Sequence, residues 1–399
     1  MKKQNSNLKF QIEKGVLLLG IQRVQGITEK RSTAPIFSNI LLEGISQGSE
    51  VGGWGSDARG RISIVATDLE IGIKGTYPAR VQSDGGIAIS GRKFHEIIRE
   101  LPDGDIDIAV EEEKYLTIKS GNSFFRISGS SKEEFPSLPE IDEDNMVLVD
   151  SIIYREMIKK TIFSVADAEA RHVLNGALLE IEADNGKRAK IRMVGTDGHR
   201  LSLCERSFED NKGLSEGEKV KQFIVPKKTL LELRRFIDVN EGIKIGIGEK
   251  QISFKGEDVY LTSRLIEGNY PNYKQVIPQK GEQTVRLNRL EFISVVRRVS
   301  VMSREKTRAI LIEFLPGKAV CRARDPEVGE ASEGFDVAYE GPGLTVGLNY
   351  QYLLEALESL DDDEIIIEMQ SNLSPCVIKQ ESDPNSLCIV MPMRVQEAE

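Results

Sequence analysis

Hydrophobic and polar positions along this chain follow one pattern three times over. The stretches ISGRKFHEIIRELPDGDIDIAV (89–110), VPKKTLLELRRFIDVNEGIKIGI (225–247) and LNYQYLLEALESLDDDEIIIEM (348–369) share a plan. Each carries an apolar stripe at i, i+4 and i+7, the mark of a helix with one buried face. The stripes are Phe94/Ile98/Leu101, Thr229/Leu233/Phe236 and Leu353/Leu357/Leu360, with Thr229 the weak member. An acidic or glycine-containing turn follows. Hydrophobic residues then alternate as in a half-buried strand: Ile106/Ile108/Val110, Ile243/Ile245/Ile247 and Ile365/Ile367/Met369.

An earlier helix precedes each of these units. Its stripes are Leu17/Ile21/Val24, Ile158/Ile162/Val165 and Phe292/Val296/Val299. A strand-like segment comes after it: NILLEG (39–44), ALLEIE (177–182) and AILIEF (309–314). The first two units also share Thr67-Asp68 and Thr196-Asp197, 129 residues apart, and Phe135-Pro136 and Tyr270-Pro271, 135 apart. One helix-then-strand match is commonplace in any α+β chain. Six in the same order indicate a single domain repeated three times. The repeat divides the 399 residues into domains at 1–145, 146–281 and 282–399, with polar, turn-rich boundaries near 140–148 and 278–284. Two helices per domain are too few to cover both faces of a sheet. The expected class is therefore α+β with mainly antiparallel sheet. A Gly/Ser-rich insert at 45–60 reads as a surface loop and holds the single tryptophan, Trp54.

Composition and charge refine this. The polar start MKKQNSNLKF lacks the apolar core of a secretory signal, and no run of about 18 apolar residues predicts a membrane span. Cys204, Cys321, Cys376 and Cys388 form no CxxC pair and read as free buried thiols, which points to a reducing, cytoplasmic setting. The net charge of −10 argues against a chain that is basic all over. Yet the six helical stretches (14–25, 92–101, 155–165, 227–236, 289–299 and 351–360) carry +8 over 64 residues, leaving −18 for the other 335. That segregation suits a positive face laid against a polyanion. It also suits basic residues that are simply good helix formers on solvated faces. No aromatic residues interleave with these cations, so a nucleic-acid contact would be with backbone phosphate rather than with bases.

No catalytic motif of any strength is present. GxxxxGK[ST], HExxH and GxSxG are all missing, and His95, His172 and His199 have no metal-ligand spacing. The acidic run 361–364 lies between a helix and a strand and reads as a solvated turn. The densest polar cluster is Thr196-Asp197-Gly198-His199-Arg200-Leu201. As chemistry it offers an Asp and a His without a nucleophile. As structure it is a strand-end turn anchored by His199 and Arg200. Neither a cofactor nor a metal is expected, and the chain is not expected to be an enzyme.

That cluster also carries a resemblance. TDGHRL (196–201), VPKK (225–228), NYPNYKQVIP (269–278) and IVMPMRV (389–395), with RHVLNGALLE (171–180) and SREKTRAI (303–310), closely resemble the bacterial DNA polymerase III β subunits, the sliding-clamp family. The likeness runs from about residue 8 to residue 395 and places its motifs in three domains in the right order. It implies three domains of the DNA-clamp fold per chain and a head-to-tail homodimer ring. Twelve helices would line a hole that holds duplex DNA, independent of sequence. The implied function is polymerase processivity. The implied partners are a clamp loader, the replicative polymerase and other proteins bearing a short motif with a glutamine and apolar anchors.

The resemblance also transfers residues. A partner-peptide pocket would have Leu174, Thr196, Gly198, His199, Arg200 and Leu201 on one wall. The other wall would use Pro271, Gln275, Val276, Asn349, Tyr352, Leu373, Pro375, Val390, Met391, Pro392, Met393 and Arg394. Gln275 stands where many members have arginine. DNA contacts would come from Lys30, Arg31, Arg171, Lys227 and Lys228. A dimer seam would join Lys93, Phe125 and Ile127 to Val301 and Met302. The start 1–7 and the 45–60 insert depart from the family pattern.

Overall fold

A computed structural model of the chain describes residues 8–28, 38–46, 60–112, 114–139, 146–183, 189–208, 220–237, 242–278 and 282–394. The insert with Trp54 lies almost entirely outside the described residues. Among the described residues six helices form where the stripes predict them: α1 (Lys14–Thr28), α2 (Gly91–Glu100), α3 (Ser151–Thr161), α4 (Lys227–Phe236), α5 (Arg289–Ser300) and α6 (Tyr350–Glu358). Their starts are set by side chains that accept the unpaired N–H groups of the first turn. Ser90 caps α2, Asn288 caps α5 and Asn349 caps α6. For α1 the Glu13 carboxylate does the same, accepting from the Gly15 and Val16 amides at 3.0 Å. One helix departs from expectation. The stripe Ile158/Ile162/Val165 predicts helix through 165, but α3 stops at Thr161 and Ile162–Ser164 is a 3₁₀ turn. The tighter turn still directs Ile162 inward, so the stripe is buried without being one helix.

Among the described residues the strands make three antiparallel sheets of 13, 8 and 4 strands. Their contacts gather the chain into two compact units. One is Met1–Ser151 with Glu232–Arg264, and the other is Ile152–Leu231 with Leu265–Glu399. The central repeat is therefore shared out, because ladder hydrogen bonds cross the repeats. In each repeat three consecutive strands follow the first helix: Asn39–Ser46, Gly60–Thr67 and Ile71–Pro78; Gly176–Ala183, Ala189–Thr196 and Arg200–Phe208; Ala309–Leu315, Lys318–Asp325 and Gly329–Asp336. The third strand of one repeat pairs with the last strand of the next. Ile71–Pro78 runs against Val259–Arg264, with Ile71 opposite Ser263. Arg200–Phe208 runs against Ser386–Val390, with Arg200 opposite Val390. Among the described residues, two strands lack the partner that this pairing would give them. Gly329–Asp336 is the end strand of its four-stranded sheet. In Ser123–Ser131, residues 123–128 pair only with Tyr115–Ser120 among the described residues.

The cores follow from this layering. In the second unit α5 and α6 bury Phe292, Val296, Leu353 and Leu357 against Ile310, Ile312, Ile365 and Ile367, with Phe292 stacked on Phe335 at 5.2 Å. In the first unit Leu17, Ile21, Val24, Phe94 and Ile98 are buried. Here α1 lies so close to its sheet that a Cβ on Gly20 would sit 2.7 Å from Ile64 and Tyr77. All four cysteines are free and buried. No helix among the described residues is long and apolar enough to cross a membrane.

Candidate functional site

The Thr196–Arg200 turn is held by its own side chains. Gly198 has φ +89°, a conformation that glycine adopts without strain. Thr196 Oγ1 donates to the Arg200 carbonyl at 2.6 Å and accepts from the Gly198 amide at 3.1 Å. Asp197 Oδ1 accepts the His199 and Arg200 amides at 2.9 and 3.0 Å. Thus Asp197, more than His199, anchors the turn, and the His199 ring is left exposed. The Thr67–Ile71 turn repeats these bonds with Thr67 and Asp68, which is why the two dipeptides recur.

Arg200 ties several elements of the second unit together. Its Nε donates to Asp197 at 2.9 Å and its Nη2 to the Phe163 carbonyl at 2.5 Å, and Nη1 pairs with Glu355 of α6. The guanidinium lies 4.3 Å from the centre of the Tyr352 ring. Burial, then the nearby Asp197 charge, push the Tyr352 phenol up. The His199 ring runs nearly parallel to that of Tyr352 at 6.4 Å. The Met391 amide donates to the His199 carbonyl at 2.9 Å, and the Met393 amide to Gly347 at 2.8 Å, so the 390–394 segment lies beside the turn. Asn349, by capping α6, fixes Tyr352 at the start of that helix.

The structure thus brings together Thr196, Gly198, His199, Arg200, Leu201, Asn349, Tyr352, Val390, Met391 and Met393. Pro392 is half-buried between the two methionines and Arg394 is exposed. Leu174 is fully buried in the 3₁₀ turn His172–Asn175. Pro271, Gln275 and Val276 are exposed on the segment around Tyr273, whose ring packs with Leu178, Val194, Leu201 and Ile389. Pro375 precedes Cys376, which sits opposite Val390. Leu373 is exposed at the tip of the adjoining turn, where its amide donates to Ser371 Oγ. Sequence reasoning missed Phe163, Glu355 and the Tyr273 anchor. Tyr273 donates to buried Glu180 at 2.7 Å, and Glu180 also accepts from Arg192 and Gln222 at 2.7 Å. Burial alone would raise the Glu180 pKa, but these hydrogen bonds outweigh it and lower it. Charged residues alternating on neighbouring strands were the available signal.

The expected DNA contacts lie in different settings. Lys30 and Arg31 lie outside the described residues. Arg171 is exposed beside Gly198 and 3.8 Å from Glu169. Lys228 is half-buried. Lys227 is already engaged, donating to the Val165 carbonyl and to Asp167, both at 2.7 Å. Of the expected seam, Phe125 is 37% exposed and Val301 76% exposed. Ile127 is half-buried, Met302 packs partly on the α5–α6 core, and Lys93 pairs with Glu96 at 2.7 Å. No group of three metal-ligating side chains occurs among the described residues.

Comparison with known proteins agrees with this layout. The chain matches the DNA polymerase III beta subunit family in its N-terminal domain (residues 8–139), central domain (149–272) and C-terminal domain (274–394). The beta sliding clamp of Pseudomonas putida is 33% identical over 391 residues, covering 97% of this chain and 100% of the relative. That of Bacillus subtilis is 27% identical over 399 residues, with coverage of 97% and 100%. A solved sliding clamp (DNA polymerase III subunit beta) from Pseudomonas aeruginosa, bound to griselimycin, has a TM-score of 0.85 at 30% identity, covering 98% of this chain and 100% of that one. The Bacillus subtilis clamp structure has a TM-score of 0.87 at 26% identity, with the same coverage. Matched in three consecutive domains over nearly its whole length, the chain belongs to the bacterial DNA polymerase III beta-subunit family, the β sliding clamps.

Proposed function

We propose that two copies of this chain close head to tail into a ring around duplex DNA. Family membership makes the chain a non-catalytic processivity factor of DNA replication. One observation carries the ring. Both junctions within the chain pair the third strand of a repeat with the last strand of the next. Among the described residues Gly329–Asp336 pairs only with Lys318–Asp325, and residues 123–128 only with Tyr115–Ser120, so each lacks the partner this rule would give it. A second copy supplies both, and two such contacts close on themselves instead of growing a filament. Closure also removes two exposed sheet edges that would otherwise invite aggregation. Phe125 and Val301, large and exposed, would be covered at that seam with Lys93, Ile127 and Met302.

The domains would run 1–145, 146–281 and 282–399, with the basic helices toward the DNA. Lys30, Arg31, Arg171 and Lys228 would meet phosphate through few, sequence-blind contacts, which break and reform as the ring slides. Arg200, His199, Tyr352 and the 390–394 segment would form the core of a groove for short partner peptides, flanked by Leu174, Pro271, Gln275, Val276, Leu373 and Pro375. Tethering a polymerase there raises its effective concentration at the DNA end. An ATP-driven loader would open the ring. The buried thiols suit a reducing cytoplasm.

Retention on circular DNA tests the ring. The protein is loaded onto a nicked plasmid with loader and ATP, then washed at roughly 0.5 M salt, where exposed charge pairs are largely screened. The expected result is retention on the circle and release when the plasmid is linearised. Equal, salt-sensitive binding to circle and line would eliminate encirclement.

A further inference from the structure

Lys227 opens helix α4, where the positive end of the helix dipole disfavours a cation. It is held there by acceptors on another segment. The ammonium donates to the Val165 carbonyl and to Asp167 Oδ1, both at 2.7 Å, and only 17% of the side chain is exposed. Those acceptors begin the loop 165–175, which leads into the groove wall. The loop closes on itself through the Ala166 amide to Leu174 carbonyl bond at 3.1 Å. The Asn175 amide group spans the Glu169 N–H and carbonyl at 2.8 and 3.2 Å. It carries buried Leu174, and it brings Arg171 so near Gly198 that a Cβ there would sit 2.6 Å from the guanidinium. Two cations therefore fix the neck of one loop: Arg200 at the Phe163 carbonyl and Lys227 at the Val165 carbonyl.

We propose that Lys227 is a positioning residue of the peptide groove, holding the 165–175 loop in place, and that this is its main role rather than phosphate contact. Asp167 is 91% exposed, so its ion pair is weak. The bond to the Val165 carbonyl is part-buried and charge-assisted, and it carries the effect. The inference rests on the peptide-groove reading above.

The test uses the full chain and a labelled synthetic peptide bearing one glutamine and two leucines, with its Kd read by fluorescence anisotropy. Lys227→Met keeps the aliphatic stem and removes the donor. It is expected to weaken peptide binding about tenfold, the scale of one charge-assisted hydrogen bond. It should also speed hydrogen exchange at the Ala166 and Leu174 amides. Lys227→Arg should restore binding, and Asp167→Ala should stay within about twofold. A phosphate-contacting lysine would instead leave the peptide Kd alone and lower the salt slope of DNA binding by about one. That result overturns the proposal, as does an unchanged loop exchange rate in Lys227→Met. A loss in Kd that merely follows the unfolded fraction, measured by thermal unfolding, overturns it too. His199→Ala separates the two levels. If His199→Ala leaves peptide binding intact, the groove reading itself fails.

Discussion

Phe125→Asp should give a folded monomer that no longer stays on circular DNA. Phe125 lies in the 123–128 edge, 37% exposed beside Phe124 at 57%. Little of the fold depends on it, so thermal unfolding should shift only slightly. At the proposed seam the change replaces a phenyl ring by a carboxylate in an apolar setting. Only the exposed part of the ring would be newly covered there, so the lost burial is below the about 1.5–3 kcal/mol of a whole large side chain, and desolvating the new charge supplies much of the rest. The proposed ring has two seams, so the loss counts twice. A total of about 6 kcal/mol corresponds to a dimer Kd weaker by roughly four orders of magnitude. Sedimentation would read the dissociation, and the plasmid assay would read lost retention. A monomeric variant still held on the salt-washed circle would disprove encirclement. A variant that stays dimeric would move the seam elsewhere.

Lys160→Met should cost the protein about 3 kcal/mol of stability, the range for removing one partner from a buried ion pair. The Lys160 side chain is 3% exposed. Its ammonium meets Glu156 at 2.9 Å and Asp383 at 2.6 Å, and Asp361 lies 3.6 Å away. Arg206 closes the cluster against Glu156 at 2.7 Å and Asp383 at 2.6 Å. Methionine would leave Asp383 with one cation where it had two. Lys159 is the control. It makes a 2.6 Å pair with Asp361, but its side chain is 47% exposed, and Lys159→Ala should cost less than about 1 kcal/mol. Denaturant unfolding compares the two. Equal losses would mean that burial of the cluster contributes nothing.

Acid adds a second reading of that cluster. Burial alone opposes ionisation of Asp383, but hydrogen bonds from Arg206, Lys160 and Ser386 outweigh it and bring its pKa from 3.8 down to about 2. A carboxylate depressed in the folded state contributes stability above its unfolded pKa and loses it as pH falls through the folded one. The native protein should therefore lose this contribution between about pH 4 and pH 2. In Lys160→Met that acid-dependent loss should be smaller, because the pKa is less depressed.

Local signals were legible in consecutive residues. The stripes at i, i+4 and i+7 placed all six helices, because a helix needs only one apolar face to be buried. Thr196-Asp197 recurs as Thr67-Asp68 because both dipeptides build the same turn, their side chains bonding amides two or three residues away. The α3 stripe misled by four residues, since a 3₁₀ turn buries the same side chains as a helix. The charge tally found basic helices but not which cations were already satisfied. Lys227 finds its acceptors 60 and 62 residues away, Arg200 reaches Glu355 across 155, and Lys160 reaches Asp383 across 223. No period or spacing encodes such pairs.

By itself, then, the sequence determined a threefold repeat of helices, strands and turns, and through its motifs the family. Those features are set by neighbours a few residues apart. The tertiary structure decided which strands pair across repeats, which strands are left without such a partner, and which lysines are held by the fold. Each of these depends on groups that meet only once distant segments pack together.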